Sequence, residues 1–514
     1  MKIRQRIRAA WQALRGRAPR RYGIWDGAQS NRLFQDWVAT ALPADEELRW
    51  SIRRLRDRSR ELSRNNPMAR RYLALVADNV IGPCGITLQA QVKNNDDRVN
   101  DLFNQRIEAA WAEWSERPTL DGRLSRVRLE HQLLKSVARD GEVFVRLWRG
   151  YTGNRFGFAL EPIDADMLDE EFNVSPAPDR NEIRMGIELD GKGQPVAYHF
   201  WSEPPASMMA TGSRRKIRVP ADEVIHLYDP ERVGQSRGVP WMAAVMADMK
   251  MLDGYEEAAL VAARLGAMQT MWFVQTDETA APPTGDEQNK IPMNVEPGQM
   301  DFAPPGYKPE VASPAYPHTN YAEFVKEAKR RIASGLLVAY NSLSGSLEDI
   351  NYSSFKAGLS IERDGYRSLQ HWWVGSFESP VYREFMAMAL LVGAVSLDSR
   401  LPEKFMNVKW SPRGWPSIEP LKEAQAGIAS IKSGLSSRTK VLAEQGLDLE
   451  DIFEDLQREQ VLADRLGIDV TGEKTATTQT NEGDDDGKKP TPEPGTNGYG
   501  GRIAAVISPG RRSS

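Results

Sequence analysis

The sequence predicts an α+β fold, mainly helical, with its strands gathered in a middle block. Three observations point there. Apolar residues recur at helical spacing through 48–62, 99–114 and 320–337, the period of one buried helix face. Alternation, the period of a half-buried strand, is confined to the middle and is clearest over 182–201. From Gly238 a run of about 30 residues passes without a helix breaker, which is on the order of 45 Å of helix. The 514 residues include one cysteine and sum to a net charge of −4. Such a chain has length for more than one core and no means of building a disulfide framework or a Cys-rich zinc module.

The first element is a basic arm, 1–43. Residues 1–21 hold Lys2, Arg4, Arg6, Arg8, Arg15, Arg17, Arg20 and Arg21 with no acid, so the remainder of the chain carries −12. Ile3, Ile7, Trp11 and Leu14 are spaced as on a short amphipathic helix, and the arm is either solvated or meets something anionic. Basic density continues in Arg49, Arg53, Arg54, Arg56, Arg58 and Arg60. Leu48, Ile52, Leu55 and Leu62 then predict helix, broken at Asn65-Asn66-Pro67. A helix over 68–80 follows, stopped by Gly82-Pro83-Cys84-Gly85, where Cys84 has no expected disulfide or catalytic role. Val99, Leu102, Phe103, Ile107, Ala110, Trp111 and Trp114 form a stripe that reads as core, and 123–139 is another helix ending at Asp140-Gly141.

Residues 142–148 and 155–161 read as strands. In 182–201, Ile183, Met185, Ile187 and Leu189 alternate up to Asp190-Gly191, and Val196, Tyr198 and Phe200 alternate beyond it, predicting one hairpin. The long helical run opens at Pro240, suited to a first turn, and ends near 271. Residues 272–318 are rich in proline and glycine, with short strands expected at 271–275 and 298–303. A second helix, 320–337, has Phe324, Val325, Ala328, Ile332 and Leu336 on one face and Lys326, Lys329 and Arg330 on another. That basic face reads either as the lining of a channel for a polyanion or as a solvated surface. Small polar residues fill 344–354, a helix over 355–392 carries Tyr366, His371, Trp372, Trp373, Phe377 and Tyr382, and more helix follows over 421–466. The tail from 469 is dense in Thr, Gly, Asp, Lys and Pro and is too poor in apolar residues to fold.

Catalytic chemistry is sparse. Gly186 to Gly193 reads G-x-x-x-x-G-K-G, but Gly193 stands where a phosphate loop needs Ser or Thr, and the intervening residues alternate like a strand. The five histidines are scattered, and no G-x-S-x-G elbow surrounds a serine. Asp164, Asp166, Asp169, Glu170 and Glu171 lack the spacing of a calcium loop and read as a polar connection between strands. No apolar run is long enough to span a bilayer, and the N-terminus lacks a signal peptide's apolar core, so a soluble intracellular product without a membrane partner is expected. No enzyme activity, metal or cofactor is expected.

Several longer passages carry a resemblance. Arg64-Asn65-Asn66-Pro67 with Asp78-Asn79-Val80-Ile81-Gly82, the stretch 186–200, and Glu223-Val224-Ile225-His226-Leu227 with Gly234-Gln235-Ser236-Arg237-Gly238-Val239-Pro240-Trp241 are similar to lambda-type phage portal proteins. So is 343–354 continuing to Arg363-Asp364-Gly365-Tyr366-Arg367. The resemblance covers roughly 42–420 in one order.

It implies a dodecameric ring at one capsid vertex, the conduit through which double-stranded DNA is packaged and ejected without sequence-specific contacts. The implied division is an α/β wing (44–238), stem helices (239–271 and 319–343), a small β-containing clip (272–318), a tunnel loop (344–354), a long helix returning to the wing (355–420) and a helical crown (421–468). The implied channel residues are Lys326, Lys329, Arg330, Ser344, Gly345, Ser346, Asn351, Tyr352, Ser353 and Ser354. The implied partners are the terminase large subunit, a head-completion adaptor, and the major capsid and scaffold proteins, in the virion and in the host cytoplasm during assembly. ATP hydrolysis would belong to a separate motor. The alternative is another ring-forming virion protein, of tail or baseplate, without a DNA-sized pore.

Overall fold

The structure, a computed structural model, describes residues 41–92, 101–205, 214–267, 271–276, 307–311, 320–348, 351–395, 405–415, 420–444 and 449–466. The basic part of the arm, Val99, the expected strand at 298–303, most of 272–318 and the tail from 469 lie outside the described residues. Two compact units divide the chain after Leu449.

The first apolar run is two helices, α1 (Ala44–Arg49) and α2 (Ile52–Asn65), followed by α3 (Pro67–Val80). Asn66 is extended and joins α2 to α3: its side-chain oxygen accepts from the Ala69 amide at 2.9 Å, and Pro67 starts the helix where no donor is needed. After β1 (Thr87–Ala90) come α4 (Asp101–Glu116) and α5 (Arg126–Asp140). Gly141, at φ +91°, stops α5. The α4 tryptophan stripe is core: Trp111 and Trp114 are 4% and 2% exposed, and the Trp114 indole N–H donates to the Phe158 carbonyl at 3.0 Å. Leu102 of that stripe faces solvent.

Strand β2 (Glu142–Arg149) pairs antiparallel with β3 (Phe158–Ile163). The expected hairpin is three strands and two turns: β4 (Glu182–Arg184), β5 (Ile187–Leu189) and β6 (Pro195–Trp201), continued by β7 (Lys216–Pro220) into an antiparallel meander. The alternating run breaks at Met185-Gly186, with φ of 44° and 86°, the signature of a two-residue hairpin turn. A methionine is held there because its side chain is buried and its carbonyl accepts from Arg237 at 2.7 Å. Strand β8 (Val224–Tyr228) then takes the free edge of β2.

Past Pro240 one 3-10 turn, Ala243–Val245, precedes α6 (Met246–Ala267), so the long helix starts later than Pro240 suggested. β9 (Met271–Gln275) pairs with β10 (Tyr307–Val311), and then come α7 (Tyr321–Gly335) and the short α8 (Tyr340–Ser344). The expected single helix over 355–392 is α9 (Tyr352–Trp373), a π-helical turn Val374–Glu378, and α10 (Ser379–Leu391). Pro380 explains the break, since it has no N–H to give the preceding turn. β11 (Val408–Ser411) pairs back to β1, and α11 (Pro420–Lys432) and α12 (Arg438–Glu444) complete the first unit. In the second unit the described helix is α13 (Leu449–Leu466). No described helix is long and apolar enough to cross a membrane.

Arginines bind α2, β2 and the approach to Gly238 together. Fully buried Glu142 accepts from Arg237 at 2.8 and 2.9 Å, Arg56 at 3.0 Å, His226 at 3.0 Å and the Gly238 amide at 3.1 Å. Burial alone would raise this carboxyl, but Arg237 and His226 outweigh it and hold it far below the usual range. The acidic connection is neutralised from α2: Arg56 meets Asp166 at 2.8 Å, Arg60 meets Asp164 at 2.8 Å, and Arg53 reaches Glu170 and Glu171. The cations at 56 and 60 therefore serve the interior instead of an external anion, while Arg53 pairs with acids at the surface. Among the described residues no group of acids, histidines or cysteines is arranged to hold a metal.

A second buried cluster has too few cations. Glu130 and Glu378 are both fully buried and share Arg126, whose guanidinium lies 3.1 Å from Glu378 and also meets Glu130. Burial raises both carboxyls, Glu130 well above its ordinary value despite Arg126. Folding therefore takes up a proton at Glu130, and stability falls as pH rises from the unfolded carboxyl's pKa toward the folded one. Glu130→Gln should raise the Tm, and by more at pH 8 than at pH 5, in paired thermal melts. A gain of equal size at both pH values would mean that Glu130 is charged in the fold.

Candidate functional site

Helix α7 lies against α6, and the two run antiparallel. Arg331 meets Asp248 at 3.0 Å near one end, Lys329 meets Glu256 at 2.9 Å further along, and Tyr255 packs on Tyr321 and Phe324 with ring centroids 5.8 and 5.0 Å apart. Val325, Ile332 and Leu336 are buried as the spacing predicts, while Phe324 is 57% exposed and packs only edge-on against Tyr255.

None of the three expected channel cations is bare. Lys329 is paired across to α6, Arg330 pairs with Glu327 on its own helix and lies 5.7 Å from the Tyr340 ring, and Lys326 is also engaged. The face is thus a mosaic of paired charges, and the expected strip of positive charge is largely offset within the subunit.

The loop after α7 is anchored at its base. Leu343 of α8 is buried, the Ser342 carbonyl accepts from Arg71 at 3.2 Å, and the Ser342 hydroxyl donates to Glu362 at 2.6 Å. Tyr366 donates to the other oxygen of Glu362 at 2.8 Å. Ser344 is the last residue of α8, and Gly345, at φ 72°, turns the chain away with its amide on the Asn341 carbonyl at 2.9 Å. Ser344 and Gly345 are exposed, as is Asn351, and the Ser346 amide donates to the Ser344 hydroxyl at 3.2 Å. Tyr352, Ser353 and Ser354 belong to the first turn of α9, so of the expected 344–354 the described residues outside helix are 345–348 and Asn351. Asp349 and Ile350 lie outside the described residues.

Asn66, with Arg71, Asp253 and Glu256, which sequence did not single out, completes this region. Asn66 caps α3 with its oxygen and donates its amide to both oxygens of Asp253 on α6, at 2.9 and 3.0 Å. Arg71 and Lys329 both line a cavity of about 470 Å³, together with Pro67, Met68, Tyr340 and Leu343. The Asn-Pro pair was a readable cap signal, whereas Asp253 and Glu256 looked like any solvated acids of a long helix.

Comparison with known proteins agrees with the resemblance of the motifs. The family model described as phage portal protein, lambda family, matches residues 30–370. A probable portal protein of Halomonas phage phiHAP-1 is 33% identical over 452 residues, covering 86% of this chain and 87% of that protein. Portal protein B of Escherichia phage lambda is 22% identical over 474 residues, covering 85% and 88%. Among solved structures, a chain from the neck of an empty gene transfer agent particle aligns with a TM-score of 0.43 at 14% identity, covering 77% of this chain and 94% of that one. With a family model across more than half of its length and a relative one-third identical along most of it, the chain belongs to the lambda family of phage portal proteins.

Proposed function

We propose that this portal protein assembles as a dodecameric ring at one capsid vertex and conducts double-stranded DNA during packaging and ejection. In this reading α6 and α7 are the stem, 345–351 is the loop nearest DNA, 272–318 is the clip that meets the terminase large subunit and later the head-completion adaptor, 44–238 is the wing toward capsid and scaffold proteins, and 421–468 is the crown. The observation that carries the ring is an uncovered stripe on α6. Ala247, Met251, Gly254, Ala258 and Val261 follow one another at helical spacing on its exposed side, with Met251 73% and Val261 48% exposed. A long helix that leaves such a face bare in one copy covers it in an oligomer.

The paired charges suit a conduit. Cyclic symmetry repeats each side chain around the channel, so a bare lysine would become a closed collar of positive charge able to hold phosphates by counterion release. Pairing Lys329 with Glu256 lowers that attraction while keeping some cation at the wall. DNA of any sequence then passes without a deep well.

Electron micrographs of the purified chain test the ring: annuli with a central pore are expected, and a uniform monomer at micromolar concentration overturns the proposal. The stem assignment has its own test. Lys326→Gln/Lys329→Gln/Arg330→Gln removes the cations without setting a new acid against Glu256. Rings should still form, and DNA-filled heads should fall several-fold. Normal filling would remove this face from the channel, and loss of rings would place it at subunit contacts.

A further inference from the structure

The described chain begins against the loop 229–237. The Leu42 carbonyl accepts from Arg232 at 3.3 Å, Glu47 pairs with the same arginine, and Asp45 accepts from the Ser236 amide and hydroxyl at 2.7 Å each. That loop is also the lip of a cavity of about 670 Å³, walled by Val76, Trp241, Leu336, Tyr366 and Leu369. Its volume is within the ~300–1,000 Å³ range of sites that hold a ligand.

Two features of the mouth lack a purpose in the single chain. Asp229 and Glu231 are exposed carboxylates on the lip, and neither meets a cation among the described residues. Burial raises Asp229 above its ordinary value with no nearby charge to lower it. Leu337 ends α7 in the left-handed region, φ 58°, where glycine is the usual residue. The turn is well formed, with the Val338 amide on the Ala333 carbonyl at 3.1 Å, yet the leucine side chain is 88% exposed at the rim. A strained backbone that displays an apolar side chain to water points to a contact made there.

The chain itself carries the complement. Segment 2–21 has eight cations and no acid, with Ile3, Ile7, Trp11 and Leu14 on one helical face. We infer that this N-terminal segment docks on its own subunit, with Trp11 and its apolar neighbours in the cavity beside Leu337 and its arginines on Asp229 and Glu231. The 27 residues between Leu14 and Leu42 reach up to ~90 Å when extended, so length sets no obstacle. Because the arm leaves from the cavity's own lip, its effective concentration there is far above that of a free partner. The basic head then meets an acidic rim within the protein, and nucleic acid is not its resting partner.

Limited trypsin digestion of the full-length chain, read by mass spectrometry, tests this. Cleavage within 2–21 should be slow in the wild type. It should be ~tenfold faster in Asp229→Asn/Glu231→Gln and in Leu337→Gly, a loss of one decade in docking equilibrium. Cleavage elsewhere should be unchanged, which shows that the variants remain folded. In a Cys84→Ser background, Trp11→Cys with Leu337→Cys should oxidise to a disulfide within one chain. Equal cleavage of the arm in all forms overturns the inference. So does a cross-linked ladder of chains, which would move the arm to a neighbouring copy, or protection that appears only when duplex DNA is added.

Discussion

Glu142→Gln is expected to cost about 3–5 kcal/mol of stability, the usual penalty for breaking a buried ion pair from one side. Glutamine keeps the shape and can still accept a hydrogen bond. It leaves Arg237, which is completely buried, with no charge to face except at a distance. Arg56 retains Asp166 at 2.8 Å, so the damage concentrates on the loop that carries Arg237 and on the Met185 carbonyl it holds. The Tm should drop by roughly 3–6 °C. Removing both partners, as in Glu142→Met/Arg237→Met, should recover part of the loss, because two apolar side chains leave no orphaned charge. The pH dependence has the opposite sign to that at Glu130. A carboxyl held low in the fold stabilises at every pH above its ordinary range, and its contribution disappears only as strong acid protonates it. A single Glu142→Gln variant within 1 kcal/mol of wild type, a fraction of the usual ~3–5 kcal/mol, would mean that water reaches this cluster.

The second large effect is steric. A Cβ added at Gly238 would lie 2.0 Å from the Gly141 carbonyl oxygen and 2.5 Å from its carbon. These are backbone atoms, so no rotamer change relieves the overlap, and the two segments must separate. Doing so pulls the Gly238 amide from Glu142 and shifts the start of β2. Gly238→Ala should therefore cost about 3 kcal/mol or more, the upper range for overpacking, and appear chiefly as insoluble chain. Gly358 on α9 is the control: nothing lies within 4 Å of an added Cβ there. Gly358→Ala should stabilise by roughly 0.5–1 kcal/mol through helix propensity, measured as a higher Tm. A soluble Gly238→Ala chain with the wild-type Tm would rule out the close approach.

Much of the fold was legible where a local signal agreed with the tertiary result. Asn66-Pro67 marked a helix start, Gly141 a helix end, and Trp111 and Trp114 a core stripe, because each depends on the chain's own period or backbone preference. The failures share another cause. The alternation from Ile183 to Leu189 is continuous, and only the distant Arg237, reaching the Met185 carbonyl, shows why the chain turns there. Arg53, Arg56 and Arg60 looked like a basic surface because the acids that neutralise them are 80 or more residues away. The break at Pro380 was visible as a residue but was masked by apolar sequence on both sides. On α7, spacing identified the apolar and basic faces. It did not indicate that Lys329 would find Glu256, since charge pairing between helices leaves no periodic trace.

The Glu142 cluster also orders events in time. Arg56, Glu142 and Arg237 are 86 and 95 residues apart in the chain. At a synthesis rate of ~5–20 residues per second, Glu142 leaves the ribosome roughly 5–20 s before Arg237 does. During that interval the carboxylate cannot be buried at low cost, so β2 stays hydrated and its sheet remains open. High contact order here means that the sheet closes only when the last arginine arrives. The helices that follow Gly238 therefore emerge onto a sheet that has just closed, and they lack a surface to pack on if it has not.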